Sequence, residues 1–474
     1  MEIAFRFLAL FTFVWLLAAG TVSGQELVPP SPPADYPSLE QLMARLERAE
    51  TTLRIMQEQQ LAPVSAQGGN DEEPPESEEA DEPKWYEKLS LRGYGQVRFN
   101  EVTRLAPGSA PAHHVGDRSV GEDESFLIRR ARIAISGDVS DHLGILVQAD
   151  FANTPPGSSD ATYFTVIRDW WADCYIDTDK VHRIRIGQQK LPYGWENMQS
   201  SSNRIPLDRS DAINTAVRNE RDLGIFYYWT PEPAQEFFDN VLDWGLKGSG
   251  NYGVFGCGIY NGQGGSLMEQ NDNLHFLARF TLPYTFESGQ MMEIGVQGYT
   301  GVFTVLSSPI SPLGVGPAVR PLGTLENGNP RGLIDRRVAG TFVWYPQPFG
   351  IQAEWNVGEG PALNEAQTEV TVRSLRGGYV MCIYKYDSPC YGTFYPFARY
   401  ATYRGGYKQE RNAPYAHIDE FDFGVEWQFA EKMEVVAMYV FTDRTNTTAI
   451  NAADTRSYGQ FEGQLARFQF QFSY

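Results

Sequence analysis

Arginines recur at a spacing of two in several stretches of this chain. Arg130 and Arg132 alternate with Ala131, Ile133 and Ile135, and Arg183 and Arg185 alternate with Ile184 and Ile186. Arg92 and Arg98 share the polar side of a third stretch, and Arg279 shares a side with Thr281 in a fourth. Successive side chains of a strand point to opposite faces, so each set projects from one side of a wall. A guanidinium stays charged at working pH and presents a fork of donors to phosphate-like or carboxylate oxygens. Several along one wall draw anions in steps, each site weak enough to leave. Asp150, Asp169, Asp173, Glu354, Asp422 and Glu426 fall on the same inner faces. The competing outcome is a mixed lumen, whose facing charges organise a cross-field without strong selectivity.

A second polar group lies in residues 194–220, between two strand-like stretches. It holds Ser200, Ser201 and Ser202, then Arg204, Asp208, Arg209, Asp211 and Arg218. Folded into a pore, such a loop narrows it where charge matters most. The hydroxyls and backbone N–H groups of 200–203 would then face a passing anion. Left outside, it is a solvated loop of mixed charge. We expect the constriction.

Other chemistries find little support. There are six histidines. Two of them, His113 and His114, adjoin in a long loop and offer at most incidental metal binding. The chain has no G-x-S-x-G elbow, Walker A loop or H-E-x-x-H motif. We expect no catalytic residue, no metal and no cofactor. Net charge is −20, and residues 1–83 carry just over half of it. No nucleic-acid partner is expected of so acidic a chain.

The elements that must position these residues are strands. Period-two alternation marks sixteen stretches: 89–100, 126–137, 143–153, 164–177, 181–193, 221–230, 252–261, 274–286, 291–305, 336–345, 351–358, 373–386, 393–404, 419–429, 434–441 and 461–474. Their connections alternate between short and long, which is the pattern of an outer-membrane barrel with turns on one side and loops on the other. No run of about 18 apolar residues follows the N-terminus, which excludes a helical membrane protein. The expected fold is therefore all-β, a 16-stranded antiparallel transmembrane β-barrel with an inward-folded third loop. The last stretch carries Phe468, Phe470, Phe472 and Tyr474 on one side and Arg467, Gln469, Gln471 and Ser473 on the other. It should close the ring against the first. Strict alternation turns Arg129 toward lipid, so it must lie near the rim or on a bulge. The 231–240 connection is too long for its side of the barrel, and 241–248 either extends a neighbour or forms a short extra element. Cys382 and Cys390 flank a turn and are candidates for a disulfide.

The front of the chain reads differently. Residues 1–24 have the basic start, apolar core and small-residue end of a signal peptide. Within 25–61, a Pro-rich spacer leads to Leu39, Leu42, Leu46, Ala49, Leu53 and Met56, spaced 3, 4, 3, 4, 3. That is the seam of a short α-helical coiled coil, or the face of a single amphipathic helix. Residues 62–83 are an acidic, Pro-containing linker with too little apolar surface to fold. The barrel occupies 84–474.

From about residue 85 to 474 the chain resembles the phosphate-selective porin O/P family, in the planctomycete-like version with a periplasmic coiled coil. The carriers are Phe126-Leu-Ile-Arg-Arg-Ala-Arg-Ile, Ile186-Gly-Gln-Gln-Lys-Leu-Pro-Tyr-Gly, Gly258-Ile-Tyr-Asn-Gly-Gln-Gly, Tyr395-Pro-Phe-Ala-Arg-Tyr and the aromatic C-terminus. The resemblance implies a homotrimeric porin in outer-membrane lipid, with an inward third loop and an arginine-rich anion path. It also implies that Phe472 and Tyr474 are similar to the signal read by the barrel assembly machinery. The family's phosphate-specific pattern has a lysine in the third loop near the serines. Here Lys190 precedes the loop and Arg204 follows the serines. The expected function is passive diffusion of small solutes, with anions preferred and phosphate a candidate. The alternative is a structural anchor that tethers the envelope through the periplasmic coiled coil.

Overall fold

The computed structural model describes residues 84–474 apart from 115–116, 118–119, 122–123, 154–162, 266 and 447–457. The signal segment, heptad seam and acidic linker lie outside the described residues.

All the strands join one antiparallel sheet. They are β1 (Ser90–Leu105), β2 (Ser125–Ser140), β3 (Leu143–Asn153), β4 (Phe164–Tyr175), β5 (His182–Lys190), β6 (Arg221–Trp229), β7 (Phe255–Tyr260), β8 (His275–Thr285) and β9 (Met291–Phe303). The second half comprises β10 (Leu333–Trp344), β11 (Phe349–Leu363), β12 (Val370–Tyr384), β13 (Tyr386–Ser388), β14 (Gly392–Gly406), β15 (Tyr415–Ala430), β16 (Met433–Thr445) and β17 (Gln460–Ser473). Only Lys385 separates β13 from β12, and both pair with β14. The two form one stave, so the ring has sixteen. Each of the sixteen expected stretches is a stave. The ring closes where expected: β1 pairs with β2 on one side and β17 on the other, with Phe99 opposite Phe468 and Asn100 opposite Arg467. Closure leaves no strand edge exposed.

Alternation sorts the two faces. Along β17, Arg467, Gln469 and Gln471 are buried while Phe472 and Tyr474 are exposed. Along β15 the alternation is nearly unbroken. The exposed side is apolar, with Ile186, Val338, Trp355 and Val380 among its members. On the short-turn side an aromatic run follows it from strand to strand. Phe394 stacks on Trp427 at 5.5 Å, Trp427 meets Phe429, and Phe470, Phe472 and Tyr474 continue the contact. Aromatic girdles of this kind sit where bilayer meets water.

Arg129 lies on a bulge. The β1–β2 register steps from Gln96 opposite Arg130 to Val97 opposite Ile128, so Arg129 is passed over. Its guanidinium turns to Asp117, 3.7 Å away. The long 231–240 connection holds a helix, α3 (Glu232–Asp243), whose two shorter predecessors are α1 (Trp195–Met198) and α2 (Asp211–Asn214).

Cys382 and Cys390 are both free thiols, which corrects the disulfide expectation. Cys382 lies opposite Ala398, whereas Cys390 follows Ser388 in the turn after β13. The six residue steps from Cys382 to Ser388 extend roughly 20 Å at strand pitch. A bridge needs Cα atoms within about 7 Å.

The apolar exterior predicts a depth-dependent cost for charge. Val338 lies mid-strand and 53% exposed. Val338→Lys should lower the unfolding free energy in lipid vesicles by about 2–4 kcal/mol, measured by reversible urea titration. A loss below about 1 kcal/mol would place this face outside hydrocarbon.

Candidate functional site

Residues 194–220 leave β5 through Gly194, whose φ of +78° suits glycine. A Cβ there would stand 2.2 Å from the Ile213 methyl. Two one-turn helices then carry the segment, and most of it is buried. Side chains from around the ring hold it. The backbone N–H groups of Trp195 and Glu196 donate to the Glu354 carboxylate on β11, at 2.6 and 2.8 Å. Arg399 on β14 pairs with Glu196 at 3.1 Å. The Ser201 hydroxyl meets Tyr94 Oη at 2.7 Å and accepts from Arg132 at 3.2 Å. Gln96 donates to the Ser201 carbonyl and Gln471 to that of Ser202.

Further along, Asp208 pairs with Arg98 at 3.2 Å and Arg467 at 2.7 Å. Burial pushes the Asp208 carboxyl up, but Arg467 and Arg98 outweigh it and hold it well below the usual range. Asp211 pairs with Arg444 at 2.6 Å and accepts from Tyr407. Asn356 donates to the Ala212 carbonyl, and Arg337 to Thr215.

The expected wall arginines project to this interior, but most meet a carboxylate there. Arg98 also pairs with Asp117 at 2.7 Å, and Arg132 with Asp150 at 2.9 Å. Arg185 makes two bonds of 2.6 Å to Asp173, and Arg279 pairs with Glu293 at 2.8 Å. Arg183 lies 4.0 Å from Asp173 and donates to the Asn251 carbonyl. Arg92 is exposed near the turn-side end of β1, away from the others. Arg130 differs: it donates to Gln96 Oε1 at 2.7 Å and pairs with no carboxylate among the described residues.

The segment's own cations are also partly engaged. Arg209 donates to Glu220 at 2.6 Å and to the Glu196 carbonyl. Arg204 donates to the carbonyls of Pro206 and Leu207, while its Nη1 lacks a partner among the described residues. Burial, helped by Arg209, pulls Arg204 down to about 9. Ser200 and Ser202 bond each other at 2.8 Å, and Ser201 is occupied as above. The serine hydroxyls are thus committed within the protein. Arg218 is half-buried near the segment's end.

Sequence reasoning passed over several members. Arg337, Arg399 and Arg444 are fully buried. Alternation with Val338 and Tyr400 was signal enough to include the first two, whereas Arg444 follows Asp443, which gives no apolar contrast. Loop residues had no such signal. His114 lies 3.4 Å from Glu420 and 4.0 Å from Asp208. Lys408, beyond β14, pairs with Asp335 and donates to Tyr299. Burial pulls its ammonium down to about 8, with Asp335 opposing and Arg337 adding to the shift. Among the described residues, no three His, Cys, Asp or Glu side chains are grouped to hold a metal ion.

The model of the family described as phosphate-selective porin O and P matches residues 113–474. A comparison with curated proteins gives no match. Among solved structures, the chain is similar to the outer-membrane protein OmpT of Vibrio cholerae, at 12% identity over 81% of this chain and 99% of that one, TM-score 0.46. It is similar to the outer-membrane channel DcaP of Acinetobacter baumannii, at 11% identity over 81% and 97%, TM-score 0.47. An anion-selective porin from Comamonas acidovorans is 9% identical over 81% and 99%, TM-score 0.44.

Removing one member of a buried ion pair costs about 3–5 kcal/mol, because the other is left uncompensated. Asp208→Asn leaves Arg98 and Arg467 to share the single carboxylate of Asp117. Trypsin should then cut after Arg204 and Arg209 in the variant and leave wild type intact, read by mass spectrometry. Equal protection in both would show that other contacts suffice to hold the segment.

Proposed function

Because the chain belongs to the family of phosphate-selective porins O and P, we propose that it is an outer-membrane porin passing small solutes by passive diffusion, with anions preferred. Family and barrel point to a channel rather than an enzyme. The observation that carries the reading is the burial of 194–220 against inward side chains of β1, β2, β10, β11, β14, β16 and β17. We read this segment as the inward-folded constriction. A permeating ion must pass beside it.

Anion preference rests on Arg130 and Arg204. Most wall arginines are neutralised by carboxylates, so they line the path without adding net charge. Arg130 and Arg204 bond to a side-chain amide and to backbone carbonyls, and neither pairs with a carboxylate among the described residues. Gln96 joins Arg130 to the segment, since it accepts from Arg130 and donates to the Ser201 carbonyl. Phosphate is one candidate solute. The third loop has no lysine beside its serines, so a general anion path fits these residues better.

Residues 1–24 export the chain, 25–61 supply a Pro-rich spacer and a short periplasmic coiled coil, and 62–83 link it to the barrel. The barrel assembles as a homotrimer, with Phe472 and Tyr474 as the feature read by the assembly machinery. The anchor reading draws on the dense lumen, where Arg98 and Arg444 are fully enclosed.

Reversal potentials under a salt gradient test the anion preference. Wild type should favour anions, and Arg130→Gln with Arg204→Gln should move the potential toward the non-selective value. A cation-favouring wild type would contradict the arginine argument. For the coiled coil, deleting 39–56 should weaken the trimer in native electrophoresis. An unchanged trimer would assign its stability to the barrels alone.

A further inference from the structure

The connections on the short-turn side are brief, except that between β6 and β7. It runs from residue 230 to 254, and its course is unlike a turn. The helix α3 is amphipathic. Its buried residues Ala234, Phe237, Phe238 and Val241 pack in one cluster with Trp195 and Met198 of the 194–220 segment. The opposite side shows Glu232, Glu236, Asp239 and Asp243 to solvent. The helix ends at Gly245, in the left-handed conformation at φ +63°, and Leu246 N–H bonds back to the Val241 carbonyl. That left-handed cap turns the chain sharply away from the helix axis.

The chain then reaches strands on the opposite side of the ring. Tyr395 on β14 donates to the Gly245 carbonyl at 2.7 Å, and Lys385 donates to that of Trp244 at 2.7 Å. Lys247 pairs with Glu426 on β15, and its ammonium lies 4.7 Å from the Tyr395 ring centre. In ring order β14 and β15 lie about as far from β6 and β7 as a stave can. The segment then returns. The Asn251 carbonyl accepts from Arg183 on β5, and the next strand is β7. On the way it carries two more bonds to the 194–220 segment, from Gln199 to the Lys247 carbonyl and from Asn203 to the Gly248 carbonyl.

Lys247 itself is buried and holds a φ of +66°, a conformation that residues with a Cβ rarely adopt. A buried, ion-paired lysine in a glycine-like conformation is what a fixed anchor point looks like.

We propose that residues 230–254 form a second barrier across the bore, on the short-turn side of the 194–220 segment, with Lys247 and Glu426 as the latch that fastens it to the far wall. The barrier sets the size limit and specificity of permeation together with the first. This rests on the porin reading, since a barrier matters only to a path. Its acidic outer face is the first surface met by a solute from the short-turn side.

The test is single-channel recording of the full chain in planar bilayers, with two variants. In one, residues 232–252 are replaced by a short Gly-Ser turn. In the other, Lys247→Met breaks the latch. Two constrictions in series contribute comparable resistance, so removing one should raise unitary conductance about two-fold. Lys247→Met should add flickering transitions to that higher level. A silent wild type with a conducting turn variant would equally support a barrier. If wild type and both variants conduct alike, the barrier is overturned and the porin reading stands. If none conducts, the porin reading fails and takes the barrier with it. Should the turn variant not assemble, Lys247→Met alone decides: conductance and gating like wild type overturn the latch.

Discussion

The Asp208 carboxylate sits between two guanidiniums from neighbouring staves, Arg98 on β1 and Arg467 on β17. Arg399, from β14, donates to the backbone carbonyl of the same residue. These contacts fasten the middle of one buried segment to several parts of the wall. Charges so enclosed persist only when paired and hydrogen-bonded. The same rule shapes the rest of the interior, where Arg132, Arg185, Arg279, Arg399 and Arg444 each have a carboxylate. A barrel wall of sixteen staves provides room for a wide aqueous bore. Here inward charges are bonded to residues 194–220 instead, and on the proposed reading the path left for ions is what that segment does not fill.

The exterior answers to a different solvent. Lipid offers no hydrogen bonds, so outward positions are apolar and the sheet must close. Arg129 shows how firmly this acts. Alternation would turn it outward, and the chain inserts a bulge so that it meets Asp117. The bulge therefore serves both faces, removing a charge from lipid and adding a cation beside the carboxylates that hold Asp208's partners.

Much of this was legible in the residues. Period-two alternation located all sixteen staves, and it turned Arg130, Arg132, Arg183, Arg185 and Arg279 inward, as found. It could not say what each inward arginine meets. The partners of Arg98 are Asp117 and Asp208, far apart along the chain and both in loops without periodicity. The serines of 200–202 were expected to face an anion, but Tyr94, Arg132 and their own neighbours take the hydroxyls. Arg92 has the right face but lies too near the turn-side end to join the interior. The helix α3 was hidden because its apolar residues, Ala234, Phe237, Phe238 and Val241, lie in a short stretch between strands, where a turn was expected. The cysteines flanking a turn misled for a geometric reason, since Cys382 lies well back along its strand.

On the proposed reading, segments fastened by buried ion pairs narrow the bore well below the width of the bare barrel. Adding neutral polymers of graded size during bilayer recording tests this most directly. Only the smallest polymers should enter and reduce the conductance, with larger ones excluded and without effect. Entry of polymers wide enough to need the whole bore would contradict the account.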